Sequence, residues 1–96
     1  ELVDQATIAK VANQCLQMKG VNACFVIGNV NEKDTKISCR SDGTINVQLL
    51  AEKMGGGGHF TSAASVLLNS TVDLAERRLL EILDEYLNDA KLTAEK

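Results

Sequence analysis

The chain has little with which to stack on nucleobases or grip a long polyanion: its 96 residues include two Phe, one Tyr and no Trp, and the formal net charge is −3. Without an excess of positive charge there is no broad field to hold an extended nucleic acid through many phosphates. A small anion stays within reach, because a few local donors decide that case. Histidine is almost absent as well, with His59 the only one. Metal-assisted phosphoester hydrolysis needs several carboxylates or histidines around one or two ions, and one histidine among scattered acids does not build that cluster. Neither a metal site nor a catalytic residue is therefore expected in this chain. The three cysteines, Cys15, Cys24 and Cys39, are odd in number, widely spaced and set among apolar neighbours, with no C-x-x-C pair. They are expected to be buried free thiols rather than disulfides or zinc ligands. No apolar run approaches the length needed to span a bilayer.

What is present is 45% hydrophobic and 24% charged, the composition of one ordinary soluble globular domain covering residues 1–96. The chain opens at Glu1, directly inside an amphipathic pattern, as expected of a piece of a longer protein. Apolar residues recur at helical spacing through Ala6, Ile8, Ala9, Ala12, Cys15 and Leu16, and Lys19-Gly20 closes that helix. Ala23-Cys24-Phe25-Val26-Ile27 is a continuous apolar run, expected to be a strand buried on both faces and central in its sheet. From Thr35 to Arg40 the pattern alternates, which sends Ile37 and Cys39 to one face and Lys36, Ser38 and Arg40 to the outward one. The two strands are expected to pair as a hairpin. Asn46 is a good N-cap for a short helix through Met54, Ala63 to Leu68 reads as another buried strand, and Val72 to Leu87 carries a long helical stripe beginning after Ser70. The predicted order is α-β-β-α-β-α, an α+β fold with helices packed on a small mixed sheet of three to five strands.

The strongest single feature is Gly55-Gly56-Gly57-Gly58-His59. Backbone without Cβ atoms can come close to a ligand and can turn successive N–H groups inward as a donor nest for phosphate oxygens, while the imidazole adds a further donor. The competing reading is a linker or a helix-terminating loop. If the third strand lies beside the hairpin, Arg40 approaches this loop and offers a planar charged fork to phosphate; otherwise it is an exposed strand arginine. Ser38 and Ser41 have weaker claims. Phe60 either lines a base pocket or, the favoured reading, anchors the loop to the core.

Taken together, Ile37-Ser38-Cys39-Arg40-Ser41, a short helix, and Gly55 to Ala64 resemble the DHH-associated C-terminal domain of the DHH phosphoesterases, over nearly the whole chain. The quadruple glycine leading into His-Phe-Thr, with Phe25-Val26-Ile27, looks most like the bacterial membrane-anchored cyclic-di-AMP phosphodiesterases. The resemblance implies that Arg40, Ser41 and Gly55, Gly56, Gly57, Gly58 and His59 bind the phosphate or nucleotide of cyclic-di-AMP or a related adenine dinucleotide. It implies that hydrolysis to linear pApA belongs to an N-terminal catalytic domain with an Asp-His-His motif and a manganese pair. This chain alone would then be inactive and need no cofactor. It would be a cytoplasmic domain of a membrane-anchored protein, docked on that catalytic domain, with a homodimer left open. Three other readings stand beside it: the same module from a short-oligonucleotide exonuclease or phosphoadenosine phosphatase, an RNA-associated module as in alanyl-tRNA synthetases, and a plain interaction domain. Ser62 to Ser65 depart from the more alanine-rich stretch the resemblance leads one to expect.

Overall fold

The computed structural model describes residues 2–95, with side chains described through residue 89. Its elements follow the predicted order, with one addition: α1 (Gln5–Leu16), β1 (Ala23–Asn29), β2 (Thr35–Ser41), α2 (Val47–Lys53), β3 (Gly57–Gly58), β4 (Ser62–Leu67) and α3 (Val72–Glu95). The strands form a four-stranded sheet in the order β1-β2-β4-β3. Every pairing between them is antiparallel, and among the described residues the one parallel contact is an isolated bridge from Leu2 to Asn29.

β1 and β2 do form the hairpin. Its turn is held by the Asn31 side chain, whose Oδ1 accepts the Lys33 and Asp34 N–H groups at 2.8 and 2.9 Å, the local bonding that lets asparagine mimic a backbone turn. β1 is not central, however: it is an outer strand, and β2 and β4 lie in the middle. Its continuous apolar run has a different cause. Helix α1 covers it on one face and α3 on the other, so both sets of alternating side chains meet helices although one edge has no neighbouring strand.

Alternation along β2 sorts its side chains between two unlike faces. Ile37 and Cys39 enter the main core with Val47, Leu50, Ala51 and Met54 of the α2 segment, Ala63 of β4, and Ala75, Leu79 and Ile82 of α3. Asn46 caps α2 through Oδ1, which accepts the Gln48 and Leu49 N–H groups, while its own N–H donates to the Tyr86 hydroxyl at 3.0 Å. Ser65, on the core face of β4, donates to the Met54 carbonyl at 2.6 Å and satisfies an acceptor left over at the end of α2. Thr71 Oγ1 accepts the Leu74 N–H at 3.1 Å and caps α3. Of the expected α3 stripe, Ala75, Leu79 and Ile82 are buried and Leu87 is half-exposed.

The opposite face is covered by α1 over β1 and β2. Gly28 allows the approach, since a Cβ there would meet Ile8 Cδ1 at 2.9 Å. Ser38, expected on an outward face, is consequently wholly buried, and its Oγ has no hydrogen-bond partner. Over β4 the same face stays partly open, with Ser62 and Ala64 half-buried and Val66 exposed. The three thiols are free; Cys24 and Cys39 are buried and Cys15 is half-buried. Burial pushes the Cys39 thiol up to about 12 and, with a smaller contribution from neighbouring Cys15, the Cys24 thiol to about 11. Among the described residues no helix is long and apolar enough to cross a membrane.

Candidate functional site

The register carries the site. Arg40 pairs with Cys24 on one side and with Ser62 on the other. Ser62 in turn exchanges both backbone hydrogen bonds with His59, at 2.7 and 3.3 Å. Residues side by side in adjacent strands share a face, so Arg40, Ser62 and His59 form one row across the face that α1 leaves open. Two strand spacings separate Arg40 from His59, about 10 Å between their Cα atoms. The next row on this face runs Ser38, Ala64, Gly57. None of these positions carries a carboxylate, and α1 contains no acid. In a chain of net charge −3 this face is locally positive.

The glycines are not one loop but two kinds of position. Gly57 and Gly58 form the short outer strand β3, an element the sequence pattern does not announce because glycine is poor in strands. A Cβ on Gly56 would overlap the Ala64 carbonyl oxygen and lie 2.6 Å from Ser65 Cα; one on Gly58 would lie 2.6 Å from both Ala63 Cα and the Ser62 carbonyl oxygen. Those two glycines exist so that β3 can press against β4. Gly57 meets nothing within 4 Å and leaves bare backbone on the face that carries Arg40 and His59.

The expected nest of free N–H groups is largely used within the fold. Gly55 N–H donates to the Glu52 carbonyl at 3.1 Å, Gly56 N–H to the Ala51 carbonyl at 2.8 Å, and His59 N–H to the Ser62 carbonyl. Because His59 and Ser62 are a hydrogen-bonded pair, Gly58 and Ala63 are the non-bonded pair that follows, and the Gly58 N–H points to the open edge. The donor available to a ligand in this segment is thus Gly58 N–H, together with the exposed His59 imidazole. Phe60, expected as an anchor, sits in the two-residue turn between His59 and Ser62 and is 49% exposed; what holds the turn is backbone, the Phe60 carbonyl accepting the Val47 N–H and the Thr61 carbonyl the Ser41 N–H, each at 3.0 Å.

Arg40 is held from three sides. Its Nε donates to Asn13 Oδ1 at 2.6 Å, and Nη1 to the Cys39 and Ala63 carbonyls at 3.0 and 3.4 Å. Ser41 stands apart from this row. It is 2% exposed, its hydroxyl donates to the Ile45 carbonyl at 2.7 Å and accepts the Gly43 N–H at 3.2 Å, so it shapes the loop into α2. The fold therefore brings Arg40, Gly57, Gly58 and His59 together and leaves the side chain of Ser41 and the amides of Gly55 and Gly56 in structural work. Ser62 and Asn13 join the site without having been singled out in sequence. Serine at a strand end and asparagine on the polar side of a helix carry no signal until register and helix placement are known. Among the described residues, no three His, Cys, Asp or Glu side chains come together as a metal-holding group.

An antiparallel sheet closed by two helices on one face and half-covered on the other, with a positive row beside a glycine edge strand, defines a small α+β domain built to present a polar face. Residues 1–89 match the model of the DHHA1 domain, and the chain belongs to that family. It is 43% identical over 91 residues to the cyclic-di-AMP phosphodiesterase GdpP of Geobacillus thermodenitrificans, covering 95% of this chain and 14% of that protein. It is 46% identical over 78 residues to the cyclic-di-AMP phosphodiesterase PdeA of Listeria monocytogenes, covering 81% and 12%. The bifunctional oligoribonuclease and PAP phosphatase NrnA of Thermus thermophilus is 41% identical over 59 residues, 62% of this chain and 18% of that protein. The chain thus spans about one eighth of the length of the phosphodiesterases it matches.

Proposed function

We propose that this chain is the substrate-binding domain of a cyclic-di-AMP phosphodiesterase, and that catalysis, with its manganese ions, belongs to a DHH domain elsewhere in the same protein. The observation that carries this reading is the single row Arg40, Ser62, His59 on the half-open face, beside bare backbone at Gly57. Arg40 supplies a permanent positive charge, and its Nη2 has no acceptor among the described residues. His59 and the Gly58 N–H supply donors from the other side, and Ser62 a hydroxyl between them. A phosphate resting on Gly57 would be met from both flanks, with no carboxylate on the face to repel it. In this reading the domain binds and orients the substrate, and the cutting belongs to the DHH domain. Its siting on the cytoplasmic side of a membrane-anchored protein rests on the family resemblance alone.

A second reading, the same module in an oligoribonuclease or phosphoadenosine phosphatase, is favoured by the likeness to NrnA and would use the same row. Titration of this chain with cyclic-di-AMP, linear pApA and an oligoribonucleotide, followed by amide shifts, separates them. Cyclic-di-AMP is expected to move Arg40, Gly57, Gly58, His59 and Ser62 most. A stronger response to the linear ligands supports the second reading, and no response to any ligand at millimolar concentration sinks both. Arg40→Ala and His59→Ala should each weaken binding about tenfold to a hundredfold, the worth of one charge-assisted hydrogen bond; His59→Ala should leave thermal unfolding nearly unchanged, whereas Arg40→Ala also loses its three internal hydrogen bonds and should lower it modestly.

A further inference from the structure

We infer that Asn13 is a positioning residue for Arg40: its side-chain oxygen holds the guanidinium so that Nη2 faces the ligand side of the sheet. The inference rests on the reading of Arg40 as a phosphate ligand. Asn13 lies 27 positions before Arg40 in the chain and on a different element, and its Oδ1 accepts the Arg40 Nε–H at 2.6 Å. That is the shortest of Arg40's three hydrogen bonds. Nη1 is turned back onto the Cys39 and Ala63 carbonyls, which leaves the Nη2 hydrogens as the donors for an incoming anion. Asn13 is itself steady, because the preceding residue, Ala12, is wholly buried and fixes that turn of α1 on the sheet.

Two physical consequences follow from the choice of asparagine. A freely rotating arginine must lose rotamer freedom when it binds, and Asn13 brings much of that loss forward into folding, so the ligand meets an arm already aimed. A neutral acceptor also orients the guanidinium without cancelling its charge, which a carboxylate in the same place would partly do. Arg40 forms no salt bridge with a described residue, the ion pair among them joining Lys53 to Glu85 on other elements, so no neighbouring carboxylate competes with an anion for it.

The test uses this chain, with cyclic-di-AMP as the probe and the Arg40 Nε–H nuclear resonance as the reporter. In the unaltered chain that proton should exchange slowly and sit away from the position of a free arginine. Asn13→Ala should return it to that position and weaken cyclic-di-AMP about threefold to tenfold, with the melting temperature nearly unchanged. Asn13→Asp, which keeps the acceptor, should retain the shifted Nε–H signal. In an Arg40→Ala background, Asn13→Ala should cost no further affinity. If Arg40→Ala weakens binding and Asn13→Ala does not, or if the two losses simply add, the role of Asn13 is overturned and the reading of Arg40 survives. If Arg40→Ala leaves binding intact, or the unaltered chain does not bind the probe, the reading of Arg40 falls and takes this inference with it.

Discussion

The two faces of the sheet are built from the same strands and do opposite work. On one, Ile37 and Cys39 of β2 and Ala63 of β4 are sealed against α2 and α3; on the other, Arg40 and Ser62, one position along, lie where α1 stops. A period of two along each strand is enough to divide a β-strand into a buried structural half and a half that faces the open side of the sheet. The difference teaches that core packing and the proposed recognition fall on neighbouring residues, so that substitutions only one step apart should have effects of different kinds.

The largest effect should come from the closed face. Ile37 is wholly buried in the main core, so Ile37→Ala should cost about 2–5 kcal/mol of stability in denaturant unfolding. Correctly folded material should still bind ligand through the open face. A variant that keeps its stability but loses binding would erase the division between the faces. A sharper cut runs through the glycine tetrad. Gly56→Ala must push β3 off β4 and should destabilise by about 1–3 kcal/mol, the range for overpacking. Gly57→Ala, with open space at its Cβ, should change stability by less than about 1 kcal/mol and act instead on cyclic-di-AMP affinity. Equal losses of stability in the two variants would mean that the tetrad is a uniform loop.

The smallest effect lies in the turns that join the faces at either rim. Asp34 is held below the ordinary carboxylate value first by the Asn31 side chain and then by the Asn69 N–H; Asp42 is held below it first by Asn22 and then by Thr44. Both carboxyls are lowered in the folded state, so the stability they contribute is present above the unfolded value, about 3.9, and is lost as pH falls through the lower folded values. Melting temperature should therefore drop below about pH 4, with a shallower drop in Asp34→Asn and Asp42→Asn. An acid response that those substitutions leave unaltered would place the titrating groups elsewhere.

Much of the fold is legible from local pattern. The helical spacing before Gly20, the alternation from Thr35 to Arg40, the Asn46 cap and the stripe of α3 each encode their element through short-range chemistry. Three features escaped for identifiable reasons. β1 reads as central because burial on both faces leaves the same apolar run whether the cover comes from strands or from helices. β3 is invisible because it is made of glycine, and its existence depends on β4 tolerating close backbone approach. Phe60 reads as an anchor because an aromatic beside glycine usually is one, whereas here backbone bonds from Val47 and Ser41 to the turn do the holding.

The site divides in the same way. Arg40, His59 and the glycines stand out by residue type, and their kinship to one family is carried by their spacing. By itself the sequence determined every element but β3, the residue types able to meet an anion and the family, because each depends on chemistry within a few positions of the chain. Only the tertiary structure decided which of those residues share a face, that Ser41 turns inward, that the Gly55 and Gly56 amides are already spent, and that Asn13 reaches Arg40. Register, helix placement and hydrogen-bond partners are set by residues distant in the chain meeting in space, and no local pattern contains them.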